Sequence, residues 1–201
     1  MHSEAHGSRQ VRAQFNAHTL IVYQAFSPEI ARPAIQAQTF VPPFGMGRMT
    51  WIKPSFLWMM YRSAWGSAPG QEHILAVEIS RDGFEWALGH ACLSHFDPAV
   101  HATDQQWRAQ LEASPVRIQW DPEKDLHLRP LPIRAIQVGL SKEAVRLYVS
   151  EWIKSIRDVT EDAHGIKALV DTGHLSEAEE RLPKETTYPL PDDLRRRIGA
   201  S

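Results

Sequence analysis

The chain carries one cysteine, Cys92, so it can form neither an intramolecular disulfide nor a cysteine-based zinc site. That fits a reducing compartment, and a cytoplasmic protein is expected. Long apolar runs are missing too: the longest, FLWMMY at 56–61, falls far short of the roughly 20 residues that a membrane span needs. The polar opening MHSEAHGSRQ lacks the apolar core of a secretory signal and shows no lipidation pattern. No internal repeat and no low-complexity linker interrupts the 201 residues, of which 43% are apolar and 23% charged. This is the composition of a chain able to bury one real core. Basic and acidic side chains nearly balance, 22 against 24, and form no basic stripe, which argues against a genome-scale DNA binder.

The most informative absence is local. Between Glu29 and Glu72 there is no acid, and the charges are Arg32, Arg48, Lys53 and Arg62. The same interval holds Phe40, Phe44, Trp51, Phe56, Trp58, Tyr61 and Trp65. Cations pair with an anion and aromatic faces stack on a base, so the mixture suits a nucleotide or a single-stranded nucleic acid. Burial alone would explain the aromatics but not the uniform sign of the charges.

Residues 18–26 (HTLIVYQAF) alternate as a strand with both faces apolar except for Gln24, which is either a satisfied core amide or a group aimed at a ligand. Ser27-Pro28-Glu29 then starts a helix running to about Gln38. The loop at 40–49 (FVPPFGMGRM) completes neither a dinucleotide fingerprint nor a P-loop. A short strand at 50–53 leads to a helix opened by Pro54, whose free N–H groups would share an anion with Lys53; Arg62, nine residues on, belongs to the other helix end. Strands are expected at 73–80, 115–120 and 133–140, with helices at 81–91 and 103–111. From Ser141 the pattern turns helical, with Val145, Tyr148, Val149, Trp152, Ile153 and Ile156 at helical spacing. Together these give a disordered N-terminus at 1–8, one α+β domain at 9–182 with a helical C-terminal part at 141–182, and an extended tail at 183–201 that contains Arg195, Arg196 and Arg197.

Other constellations are weaker. His90, His95, Asp97 and His101 lie close in sequence but match no zinc motif, so hydrogen-bonded loop histidines are expected and no metal is assigned. Cys92 reads as a small core residue, and no Gly-x-Ser-x-Gly elbow is present. Asp121, Glu123 and Asp125 (WDPEKD) read as a solvated acidic turn rather than a glycosidase dyad.

The segments RMTWIKPSFLWMMYRS, VYQAFSPEIA, VPPF, CLSHFDPAVH and SPVRIQWDPEKDLHLRPLPIRAIQVGLS resemble the bacterial and fungal domain-of-unknown-function family 4291 over about residues 9–191. A fainter likeness is to the ADP-ribosyltransferase-like folds, which open on a strand ending in Tyr-His-Gly-Thr or a relative, followed by a helix; here the strand ends Val-Tyr-Gln-Ala. That resemblance implies an α+β fold with a mixed or antiparallel sheet core. It places the superfamily's key positions at Gln24, at Tyr61 or Ser55, and at Gln137. Gln24 stands where His or Arg is usual, and Gln137 where a glutamate commonly supports transfer, which leaves Arg48, Lys53 or Arg134 to compensate. The implied activity is binding of an NAD or ADP-ribose type nucleotide, with NAD as substrate rather than resident cofactor and a nucleic acid or protein as acceptor. In this reading Arg48 and Lys53 take the pyrophosphate, Tyr61 or Trp51 stacks on a ring, Gln24 and Gln137 orient the ribose, and Arg12 is a further anion contact. Binding without turnover fits the same residues. The alternative is a non-enzymatic RNA or single-stranded nucleic-acid module that also uses the arginine tail.

Overall fold

The computed structural model describes residues 8–201, so nearly all of the N-terminal segment expected to be disordered lies outside the described residues. In chain order the elements are β1 (Arg12–Ala13), β2 (Thr19–Phe26), α1 (Pro28–Ala37), β3 (Thr50–Ile52), α2 (Phe56–Ser63) and β4 (His73–Ser80). Then come α3 (Arg81–Gly89), β5 (Ala91–Leu93), α4 (Asp104–Ala113), β6 (Val116–Lys124), β7 (Pro130–Leu140) and α5 (Glu143–Leu147). A π-helical turn, Tyr148–Trp152, leads into β8 (Ile153–Asp158), α6 (Thr160–Asp171), α7 (Leu175–Arg181), β9 (Thr186–Thr187) and α8 (Asp192–Ile198). Among the described residues no helix is long and apolar enough to cross a membrane.

This is a mixed α+β fold on two principal sheets. One is antiparallel, in the order β2-β4-β8; the other has the order β3-β7-β6-β5, with β5 parallel to β6 and the remaining pairs antiparallel. The period of two along β2 explains the layering. Leu20 and Val22 face a core that also takes Leu75, Val77 and Ile79 from β4, Ile52, Ile118, Val138 and Leu140 from the second sheet, and Phe84 and Leu88 from α3. Tyr23 faces the opposite way, into a second core with Phe56, Met59 and Met60 of α2 and Ala163 and Ile166 of α6. Each of the Val, Leu, Ile, Phe and Met side chains, fully buried, contributes roughly 1.5–3 kcal/mol.

The two sheets meet at one backbone bridge. Tyr23 N–H donates to the Lys53 carbonyl at 2.7 Å, and Lys53 N–H donates to the Tyr23 carbonyl at 3.3 Å. This junction sets β2 beside the end of β3, and it is where the cationic and aromatic segment enters the fold.

The expected helical C-terminal part at 141–182 is corrected by β8. Val145, Tyr148 and Trp152 do occupy helical or π-helical turns, but Ile153 and Ile156 belong to a strand that pairs with β4, Ile156 opposite Val77. Residues 153 and 156 satisfy a helical period by coincidence, and sheet pairing with the buried β4 overrides it. The tail is not extended throughout either. Thr186 and Thr187 pair with β1, and Leu194 and Ile198 bury one face of α8 while the arginines point elsewhere. Asp121 and Glu123 lie within β6 rather than on a turn, and Glu123 is buried.

Candidate functional site

Next to the bridge between the sheets lies a cavity of about 590 Å³. Its walls include the cations Arg48, Lys53 and Arg62, the indoles of Trp51 and Trp58, and the amides of Gln24, Gln71, Gln119 and Gln137, with no carboxylate among the lining residues. Three of the four cations in the acid-free stretch thus converge on one concavity. A larger cavity of about 700 Å³ lies on the Tyr23 side, but there Arg157 and Arg181 are offset by Glu161 and Asp162. Charge of one sign singles out the smaller one as the candidate site for an anion.

Lys53 sits at the centre of this arrangement. It does not open the helix: Ser55 is the N-cap of α2, its hydroxyl accepting from Trp58 N–H at 3.1 Å. Lys53 comes just before, off the helix, and so it shares the cavity with Arg62 although the two lie nine residues apart. Its ammonium group donates to the Trp51 carbonyl at 3.1 Å and stands 5.6 Å from the centre of the Trp58 ring. Only 7% of the residue is exposed, and no carboxylate forms an ion pair with it among the described residues. Burial, and next the Arg62 guanidinium, pull its pKa down to about 7 against the opposing attraction of Asp121.

Trp58 supplies a second signal. It is 6% exposed, it lines the cavity, and its buried Nε1–H finds no hydrogen-bond partner among the described residues. A buried donor left without a partner costs about 1–3 kcal/mol, so such groups call for a ligand or water. Trp51 forms another wall. It lies flat on β7 because Gly139 has no side chain; a Cβ there would stand 3.0 Å from the indole and 2.7 Å from the Met49 sulfur.

The remaining expected residues divide. Gln24 and Gln137 reach the cavity, but both are held. Gln24 donates to Thr50 Oγ1 at 2.7 Å and to the Trp51 carbonyl at 3.2 Å, and accepts from the Tyr148 hydroxyl at 2.7 Å. The Gln137 amide donates to the Asp121 carboxylate. Tyr61 is not brought to the cavity; it is 49% exposed and its ring packs under the Lys124 ammonium at 3.7 Å. Ser55 and Arg12 are engaged elsewhere. The Ser55 hydroxyl donates to Glu123 at 2.7 Å, and Arg12 donates to the Glu185 carbonyl at 2.8 Å. Glu185 itself accepts from Phe56 N–H at 2.7 Å, so the N-terminus of α2 is occupied by protein carboxylates and is not open to a phosphate. Arg134 lines a separate cavity of about 310 Å³ with Arg9, His95 and Phe96, and this cavity shares Gln119 with the first.

Five residues of the site were not among those expected: Arg62 and Trp58, named in the acid-free stretch but not assigned to the site, and Thr50, Gln71 and Gln119. Gln119 pairs with Gln137 across β6 and β7, but in a strand that also carries Arg117, Asp121, Glu123 and Lys124 one more polar residue gives no distinct signal in the sequence. Among the described residues no group of three or more metal-ligand side chains is assembled. His90 stacks on Trp86 at 3.8 Å, and buried His101 lies 3.9 Å from the Cys92 sulfur.

A family model described as a domain of unknown function (DUF4291) matches residues 10–188. The chain belongs to the DUF4291 family. No curated protein matches it. The matched span contains every lining residue of the cavity, so the acid-free stretch and the glutamine-bearing strands β6 and β7 all lie inside the DUF4291 domain.

Proposed function

We propose that the DUF4291 chain binds a nucleotide of the NAD or ADP-ribose type in the cavity beside Lys53. The observation that carries this reading is the convergence of Arg48, Lys53 and Arg62 with two indoles on a cavity that no carboxylate lines among the described residues. The cations answer a pyrophosphate and the indoles a planar ring. Thr50 and the four glutamines supply neutral donors and acceptors for ribose hydroxyls. In an ADP-ribosyl transfer to a nucleic-acid or protein acceptor, no lining side chain among the described residues offers a carboxylate to the positive charge developing on the ribose, and Asp121 acts on it only from behind the Gln137 amide. NAD is then a substrate.

Calorimetric titration with NAD and ADP-ribose tests the reading. Lys53→Ala should abolish the heat, and Arg62→Ala should weaken binding by about tenfold, the scale of one charge-assisted hydrogen bond. Absence of binding in the unaltered protein, or unchanged affinity in Lys53→Ala, rejects it.

A second reading, a single-stranded nucleic-acid module, is favoured by one observation: Gln119 joins the cavity to the smaller one lined by Arg134, His95 and Phe96, making a longer polar track. Against it, Arg195 and Arg197 of the tail are engaged within the chain, with the Leu190, Ser201 and Ala91 carbonyls. Short RNA whose affinity falls steeply with salt would establish this second reading; a dinucleotide depends on salt far less.

A further inference from the structure

We propose that Lys53 is a nucleophilic amine that condenses with the aldehyde of a phosphate-bearing sugar or nucleotide held in the cavity, forming a reversible imine. The inference rests on the anion-binding reading of the cavity and adds a covalent step to it. Depth separates the cations: Arg48 and Arg62 are exposed at the mouth, whereas Lys53 is buried inside. A phosphate taken by the two arginines leaves the rest of the ligand directed toward the amine. Among the described residues the Lys53 side chain has one hydrogen-bond partner, the Trp51 carbonyl, and donates to it, so the nitrogen lone pair of the neutral amine is uncommitted.

The charged groups around it act in one direction except for one. Arg62 on α2 and Arg48 before β3 oppose a further positive charge, and Asp121 on β6 favours it from behind the Gln137 amide. The other polar walls, Gln24 on β2, Thr50 on β3, Gln119 on β6 and Gln137 on β7, are neutral. With burial, this leaves a substantial share of the amine unprotonated near neutrality. The unpartnered Trp58 Nε1–H, on the same wall, is a donor available to polarise a carbonyl oxygen.

The step balances without a further reagent. The amine lone pair attacks the carbonyl carbon to give a carbinolamine; the carbonyl oxygen then leaves as water with the two amine protons, and a C=N bond remains. The ligand class is a phosphorylated aldehyde. ADP-ribose belongs to it when its terminal ribose ring opens, whereas NAD, whose ribose C1 bears nicotinamide, does not.

Pyridoxal 5′-phosphate is the probe. The intact protein is incubated with it near neutral pH, reduced with borohydride and mapped by peptide mass spectrometry. Lys124, Lys142, Lys154, Lys167 and Lys184 serve as internal controls. Lys53 should be modified at least about tenfold faster than any of them, following its larger neutral fraction. Excess inorganic phosphate should slow that reaction selectively, and Lys53→Arg should lose the fast phase while keeping its folded circular dichroism spectrum. Borohydride should also fix ADP-ribose, but not NAD, to Lys53. Labelling of Lys53 no faster than the controls, or unaffected by phosphate, overturns the proposal. The two readings fail separately. Calorimetric binding of ADP-ribose with no trapping at Lys53 removes the imine and keeps the nucleotide; phosphate-protected labelling of Lys53 with no binding of either nucleotide keeps the imine and removes the nucleotide.

Discussion

Glu185 and Glu123 approach the first turn of α2 together, Glu185 accepting the Phe56 N–H at 2.7 Å and Glu123 the hydroxyl of the Ser55 cap at 2.7 Å. The contact pins the segment before β9 to the helix that carries Trp58 and Arg62. It also brings the buried Glu123 and the half-buried Glu185 to one helix end, where the Glu123 charge raises the cost of ionising Glu185. Burial above all, and then the Glu123 charge, push the Glu185 pKa up to about 8, against the Phe56 N–H and Arg12, which favour the ionised form.

A pH dependence of stability follows. Because the folded-state pKa of Glu185 lies above the ordinary value of 4.5, its protonated form favours the fold below that value, and the advantage is lost as pH rises through about 8. Glu185→Gln keeps the acceptor for Phe56 and cannot ionise. Its stability relative to the unaltered protein should rise across this window and reach the order of a few kcal/mol at the alkaline end. Urea unfolding at a series of pH values measures the difference; a difference independent of pH would contradict the assignment.

Lys53 gives the opposite sign. Its folded-state pKa, about 7, is below the ordinary 10.5, so the charged form is disfavoured in the fold and stability is lost as pH falls from the upper value through the lower. Lys53→Met fills similar space without the charge. The empty variant should be more stable than the unaltered protein at pH values below about 7, by on the order of 1 kcal/mol or more, with the gain shrinking toward alkaline pH. Thermal midpoints in the absence of ligand, taken across that range, test this. A loss of stability equal at all pH values would mean that Lys53 serves packing alone.

How much of this was legible in the sequence depended on whether the signal was local. Strand β2, the start of α1 and the alternation in β4 follow from residue spacing and capping, and the acid-free stretch marked the walls of the cavity before any contact was known. What escaped came from distant pairings. Strand β8 could not be told from a helix, because Ile153 and Ile156 fit both periods and only β4 decides between them. Arg62 was set apart from Lys53 by treating both as one helix, whereas the helix begins after Ser55 and the chain brings them to one cavity. Glu123 and Glu185, 62 residues apart in sequence, meet only because β9 returns to β1.

Gly83 tests the packing behind β8. Within a helix a change from Gly to Ala ordinarily stabilises by roughly 0.5–1 kcal/mol. In α3, however, a Cβ at this position would overlap the Trp152 indole. Gly83→Ala should therefore destabilise the protein by about 1–3 kcal/mol as Trp152 is displaced. Urea unfolding with tryptophan fluorescence reports both the stability and the indole's surroundings; a stabilised variant would show that Trp152 moves aside without cost.

The last prediction concerns the amide beside the cavity. Tyr148, fully buried in the π-helical turn, reaches across the core to donate its hydroxyl to Gln24 Oε1, while the Gln24 amide nitrogen holds Thr50 and the Trp51 carbonyl. That carbonyl is also the acceptor for Lys53, so one chain of hydrogen bonds runs from the core to the proposed nucleophile. Tyr148→Phe leaves Gln24 Oε1 without its donor at a cost of about 1–3 kcal/mol, and Gln24→Met leaves the Tyr148 hydroxyl unpaired at a similar cost. The double variant removes both partners, so its cost should fall short of the sum by about 1 kcal/mol in a double-mutant cycle. The same variants should weaken ADP-ribose binding, since Gln24 lines the cavity. Strictly additive stabilities would mean that the hydroxyl and the amide act independently, and that the position of the Trp51 carbonyl beneath Lys53 is set by β3 alone.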